Sequence, residues 1–156
     1  MIQRIVSQIH KLLIKNKKTM AVAESCTGGL LSSFLTHSSG SSRYFQLGVV
    51  AYSNNMKSTL LQVPPKMIEQ KGAVSELIAR RMAKSVRELA GTDFAIAITG
   101  IAGPTGGTPQ KPIGTVFIAV SAKNKTICEE FHFTGNRTTI RNKSALKALE
   151  LLKSFF

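Results

Sequence analysis

At 94–98 the chain reads Phe-Ala-Ile-Ala-Ile, with Asp93 before the run and Thr99-Gly100 after it. A strand with one wet face alternates apolar and polar residues, whereas an unbroken apolar run of strand length is covered on both faces. The segment 93–99 is therefore predicted to be a buried strand that needs helices above and below it. The flanking sequence supplies them. Ile2–Lys15 is apolar at positions 2, 5, 6, 9, 12 and 13, the spacing of an amphipathic helix. Ser75 is placed to cap a long helix ending near Ala90, apolar at 74, 78, 82, 86 and 90 with Leu77 and Leu89 alongside. A third long helix is predicted over 138–155, with Ala145, Leu149, Leu152 and Phe156 on one face.

Shorter segments fill the pattern. Helices are expected at 29–36, at Asn54–Leu61 behind a Ser53 or Asn54 cap, and at 66–70 after the Pro64-Pro65 break. Strands are expected at 19–23, at 44–52 around Val49-Val50, and at 114–122 and 126–133, joined by a hairpin turn at 123–125. Loops take 37–42 and 100–112. Helices and strands alternating in this way predict an α/β fold, a three-layer α/β/α sandwich around a mixed β-sheet. One domain over 1–156 is expected, since no repeat or linker interrupts the pattern.

Composition narrows the function classes. No apolar run approaches the ~18 residues of a membrane span, and the first helix lacks the continuous apolar centre of a signal peptide, so a soluble cytoplasmic protein is expected. Cys26 and Cys128 fit no disulfide or metal framework. Asp93 is the only aspartate, the eight acids form no cluster, and His10, His37 and His132 are scattered, so no metal and no cofactor are expected. The net charge of +13 suits a small anion or a solvated lysine-rich surface. Nucleic acid is not expected, because Trp is absent and the two tyrosines offer little for stacking on bases.

In sheets of this kind ligands sit at the carboxyl ends of the strands, which singles out three loops: 24–29, 52–57 and 99–108. In the first, Ala23-Glu24-Ser25-Cys26-Thr27-Gly28-Gly29, Ser25 stands between a strand and a helix N-terminus whose free amides could hold an oxyanion. On this loop alone the simpler reading leads: Ser25 or Thr27 is an N-cap and the glycines allow close packing. A serine nucleophile also needs a base, and no histidine lies in a candidate loop. Lys57 can serve if a partly dry site keeps its amine neutral, with Tyr52 relaying a proton or bracing the amine. Cys26 is a rival nucleophile, ranked below Ser25 for want of a histidine partner. In the third loop the glycines admit a ligand to the backbone, and Thr99, Thr108 and Lys111 add donors suited to a phosphate. The Walker and dinucleotide fingerprints are both absent from it.

Taken together, AESCTGG, GSSRYF, GVVAYSNNMKSTLL, GAVSE, AITGIAGPTGGTPQKPIGTV and a late F-x-G-x-R resemble the CinA C-terminal domain family, the PncC-like nicotinamide-nucleotide amidases. The resemblance runs from about Ile2 to Leu152, and to the stand-alone form, since the molybdopterin-binding-like N-terminal domain of many members is not in this sequence. It implies hydrolysis of nicotinamide mononucleotide to nicotinic acid mononucleotide and ammonia by a Ser-Lys mechanism, without metal, in a homodimer. By that resemblance Ser25 is the nucleophile, Lys57 the base and Tyr52 the tyrosine that accompanies it. Amides around Thr27 and Gly28 are then candidates for the oxyanion hole, with Gly29 beside them as a further substrate-binding residue. The loop carrying Thr99, Gly100, Gly103, Gly106, Gly107 and Thr108 would embrace the nucleotide, and Arg141 would reach its phosphate. Asn136 stands where members often have Asp, which removes a carboxylate. Two other classes stay open: a non-catalytic nucleotide-binding module, and a competence- or DNA-associated protein.

Overall fold

The computed structural model describes residues 2–156. Five strands lie in the order β2-β1-β3-β4-β5, where β1 is Met20–Glu24, β2 Phe45–Val50, β3 Phe94–Gly100, β4 Thr115–Ala122 and β5 Thr126–His132. β1 is parallel to both β2 and β3, whereas β4 and β5 are antiparallel additions on the far side of β3. Helices α1 (Ile2–Lys15), α2 (Leu30–Thr36) and α6 (Arg137–Lys153) cover one face; α3 (Asn54–Leu61), α4 (Pro65–Lys71) and α5 (Glu76–Ala90) cover the other. This is the expected α/β/α sandwich on a mixed sheet.

The alternation of the strands sorts the two cores. Val22, Ile96, Ile98, Ile118 and Val120 point toward α1, α2 and α6. Ala21, Ala23, Ala95, Ala97 and Ala119 point the other way, where Ile78, Met82 and Val86 of α5 fill the space that small side chains leave. Successive strand residues face opposite sides, so the Ala-Ile-Ala-Ile run encodes a bulky face and a flat face at once. Among the described residues no helix is long and apolar enough to cross a membrane.

Several local expectations are corrected. Ser75 occupies the N-cap position of α5 but makes no capping bond; its hydroxyl donates back to the Gly72 carbonyl at 2.9 Å. Leu77 and Leu89 face solvent at 42% and 57% exposure, because the buried stripe of α5 runs through 78, 79, 82, 83 and 86. Phe156 lies beyond α6 rather than on its inner face. Val50 is exposed because β2 is an edge strand. The loop at 37–42 contains the start of a 3₁₀ turn, Ser41–Arg43.

What matters for function is where β1 ends. The chain leaves β1 through α2 to reach β2 on one side, then crosses by α3, α4 and α5 to β3 on the other. Glu24 is in register with both Val50 and Ile98, so the carboxyl ends of the three parallel strands lie side by side. Such a reversal of strand order opens a crevice at the strand ends, and Ser25 is the first residue past it.

Candidate active site

Ser25 is fixed by the ladder it terminates: its amide donates to Ile98 O at 3.0 Å, while the neighbouring Ala51 amide donates to Glu24 O at 2.9 Å. Lys57 arrives from α3. Ser53 caps that helix by accepting from the Met56 amide at 3.1 Å, and Lys57 and Leu61, one turn apart, form its buried face. The stem of Lys57 thus follows an apolar stripe into the crevice, leaving the residue 2% exposed. Its Nζ lies 3.1 Å from Ser25 Oγ, 3.0 Å from Ala51 O and 3.2 Å from Tyr52 O.

That geometry has a chemical consequence. A neutral amine has two N–H groups and one lone pair. The two carbonyls can only accept, so in the neutral form they take both N–H groups and the lone pair is left facing the Ser25 hydroxyl. In the ammonium form all three N–H groups find acceptors. Burial lowers the Lys57 pKa from its usual value, since removal from water disfavours the charged amine; the nearby Cys26 opposes this more weakly. The pair is therefore built to pass a proton in either direction.

A cavity of about 260 Å³ opens over this contact. Ser25 and Cys26 line it from the first loop, Tyr52, Asn54 and Lys57 from the second, and Thr99, Gly100, Gly103 and Gly106 from the third. Gly103 has φ +77, and a Cβ there would come within 2.7 Å of Ile113 Cγ2, so the loop can fold tightly on itself only with glycine. The Thr99 hydroxyl donates to Ala73 O at 2.8 Å, and Ala73 lines the same cavity.

Other sequence-derived candidates sit elsewhere. Neither Ser25 nor Thr27 caps α2: the N-cap is Gly29, with φ +95, and the helix amides are claimed by Glu24. Its fully buried carboxylate accepts from Gly29 N, Leu31 N, Ser32 N and Ser32 Oγ at 2.7–3.1 Å. The amides expected for an oxyanion are thereby redistributed. Gly28 N is spent on Ser25 O at 3.1 Å and Gly29 N on Glu24. Among the described residues, the Cys26 and Thr27 amides donate to no other residue; Cys26 lines the cavity, whereas Thr27 is fully buried and does not. Gly107 and Thr108 lie in the outer part of their loop, away from the cavity, where the Thr108 hydroxyl accepts from Lys111 N. Lys111 closes the C-terminus of α4 through Lys71 O and does not line the cavity. Arg141 does not line the cavity; its Nη2 donates to Thr27 O at 2.7 Å.

The residues that sequence reasoning missed are Glu24 and Arg137. Arg137, the first residue of α6, does line the cavity, donating to Gly103 O at 2.7 Å and to the Tyr52 hydroxyl at 3.0 Å. The signal for it was the F-x-G-x-R string just before the last helix. The Tyr52 phenol consequently faces Arg137, and Tyr52 braces Lys57 through its backbone carbonyl instead. Asn136 caps α6, its side-chain oxygen accepting from Thr139 N and Oγ1 at 2.9 and 3.0 Å. Asn and Asp cap equally well, so the loss of a carboxylate at this position leaves the cap intact. Burial pushes the Cys26 thiol up to about 11, which keeps it protonated beside Ser25.

A sequence model of the CinA C-terminal domain matches residues 2–156. A CinA-like protein of Syntrophus aciditrophicus is 51% identical over 148 residues, covering 94% of this chain and 35% of the relative. One of Thermotoga maritima is 45% identical over 153 residues, covering 98% of this chain and 37% of the relative. The chain thus spans little more than a third of the curated relatives it matches. Two solved structures superpose with a TM-score of 0.96. One is the competence/damage inducible protein CihA of Agrobacterium tumefaciens, 36% identical, covering 98% of this chain and 94% of that one. The other is a competence-damaged protein (CinA) superfamily protein of Escherichia coli, 33% identical, covering 100% and 91%.

Proposed function

This chain belongs to the CinA C-terminal domain family, and we propose that it is an amidohydrolase that deamidates nicotinamide mononucleotide to nicotinic acid mononucleotide and ammonia. The observation that carries the reading is the buried contact of 3.1 Å between Lys57 Nζ and Ser25 Oγ, with the two remaining donor directions of the amine held by carbonyls. A module that only bound nucleotides would gain nothing from a buried, lone-pair-directed lysine against a serine.

In the proposed reaction the Ser25 Oγ–H proton moves to Lys57 Nζ as Oγ attacks the carboxamide carbon. The tetrahedral oxyanion is met by the Cys26 amide. The C–N bond then breaks, Lys57 returns the proton to the departing nitrogen, and ammonia leaves a nicotinoyl ester on Ser25. Water, deprotonated by the same amine, attacks the ester; Lys57 returns that proton to Ser25 Oγ as the C–O bond breaks, and the acid leaves and ionises to the carboxylate. Arg137 and Tyr52, hydrogen-bonded to each other, line the cavity where the charged remainder of the substrate would lie. General-base assistance is typically worth about 10²–10⁴-fold, and one oxyanion donor about 10²–10³-fold.

The test is ammonia release from nicotinamide mononucleotide, with and without chelator, by wild type and Ser25→Ala. Turnover by wild type and its loss in Ser25→Ala at unchanged thermal stability is expected. Near-wild-type turnover by Ser25→Ala, or none by wild type, removes the assignment.

A further inference from the structure

Arg141 is half-buried, and no carboxylate pairs with it among the described residues. A guanidinium taken partly out of water without an anionic partner is costly, so its position calls for a reason. Its Nη2 makes one hydrogen bond, to Thr27 O at 2.7 Å, and its Nε is buried with no partner. Thr27 itself is fully buried, and its Oγ1 also lacks a partner. Gly28, with φ +56, lies against the guanidinium: a Cβ there would stand 3.4 Å from Nη2. The contact joins α6 to the turn that carries Ser25, 114 residues away in sequence. Arg141 is not exposed to the cavity that holds Ser25, Lys57 and Arg137.

We infer that Arg141 is a positioning residue for the oxyanion hole: by holding the Thr27 carbonyl on the α6 side of the turn, it fixes, through Gly28 and Ser25, the aim of the Cys26 amide that meets the developing oxyanion. A peptide plane carries the C=O of one residue and the N–H of the next on opposite sides, so Thr27 O held by Arg141 aims the Gly28 amide, and Ser25 O held by that amide aims the Cys26 N–H. In this turn Ser25 O is taken by Gly28 N, and Thr27 O by Leu30 N and Arg141. Of the amides between them, that of Cys26 donates to no other residue and belongs to a residue that lines the cavity. The inference rests on the reading of Ser25 as nucleophile and replaces a phosphate contact for Arg141 with a structural task in catalysis.

The test uses a fluorophosphonate probe that carries no nucleotide. Ser25 Oγ attacks phosphorus, its proton passes to Lys57, fluoride leaves, and the phosphoryl oxygen occupies the oxyanion position. The labelling rate of Ser25, followed by intact mass, is compared for wild type, Arg141→Met and Arg141→Lys, alongside kcat and KM for nicotinamide mononucleotide. Labelling by Arg141→Met is expected to fall about 10–100-fold, since a mis-aimed donor costs up to about 10²-fold, less than most donors lost outright. Its kcat should fall in parallel with KM nearly unchanged. Arg141→Lys, which keeps one donor for Thr27 O, should recover part of both rates, which a general loss of packing would not allow. Added guanidinium should accelerate labelling of Arg141→Ala. If instead labelling stays within twofold of wild type while KM rises, Arg141 is a substrate ligand and the inference is overturned. Equal loss of labelling in Arg141→Lys and Arg141→Met, without guanidinium rescue, overturns it as well. Because the probe is not a nucleotide, wild type labelled at Ser25 but releasing no ammonia would remove the proposed substrate and leave the Arg141 comparison decisive.

Discussion

Replacing Glu24 by glutamine tests the frame on which Ser25 stands. The wild-type carboxylate meets four donors: Oε2 takes Gly29 N and Leu31 N, and Oε1 takes Ser32 N and Ser32 Oγ. Glutamine can keep its oxygen at the Oε2 position, but its NH₂ must then face Ser32. The Ser32 hydroxyl can rotate to accept, whereas the Ser32 amide cannot, so one helix N–H is left without a partner. A buried unsatisfied donor costs about 1–3 kcal/mol. The surviving bonds fall from charge-assisted to neutral strength, roughly half. The helix dipole also loses a neighbouring anion worth about 0.3–2 kcal/mol. No longer burying a charge offsets part of this, and a net loss of about 2 kcal/mol is expected for Glu24→Gln. For a chain of this size that lowers Tm by about 4–8 °C. Urea titration should show the same loss as a shift of midpoint at constant m. Ammonia release should fall too, since α2 and the Ser25 turn share this anchor. A Glu24→Gln protein with Tm within 1 °C of wild type, or above it, would refute the reasoning.

Three further outcomes follow from the same geometry. Because burial lowers the Lys57 pKa, its base form grows as pH rises through that lowered value, so kcat should climb with pH to a plateau. Between the lowered pKa and the usual lysine range the unfolded chain binds the extra proton, so stability also rises with pH there. Lys57→Met should abolish both dependences while cutting turnover about 10²–10⁴-fold; a pH–rate profile falling over the same range would contradict this. Cys26, with its thiol near 11, should resist iodoacetamide at pH 8, and Cys26→Ala should keep most of the turnover, as read by mass spectrometry and ammonia release. Asn136→Asp should match wild type in Tm and kcat, whereas Asn136→Ala should lose about 1 kcal/mol in urea titration through the α6 cap.

Much of this molecule was legible in one dimension. The first helix was read at its observed bounds, because α1 must turn one apolar stripe to the core and that stripe is written in the residue spacing. The 94–98 run foretold a strand covered twice, and with it the three layers. Parallel strands put their carboxyl ends together, so the loops holding Ser25, Lys57 and Thr99 could be named as neighbours before any distance was known. Local spacing reports which residues are buried and when the chain turns. It does not report which of several polar partners, dozens of residues apart, a side chain will reach. Only tertiary structure decided that Glu24 and not Ser25 or Thr27 would satisfy α2, and that Lys111 would close α4. It likewise set Arg137 beside Tyr52 and turned Arg141 onto the Thr27 carbonyl. Each of these is a long or buried polar group whose hydrogen bonds must be made somewhere in the folded chain, and the packing of α6 and the loops against the sheet fixed where.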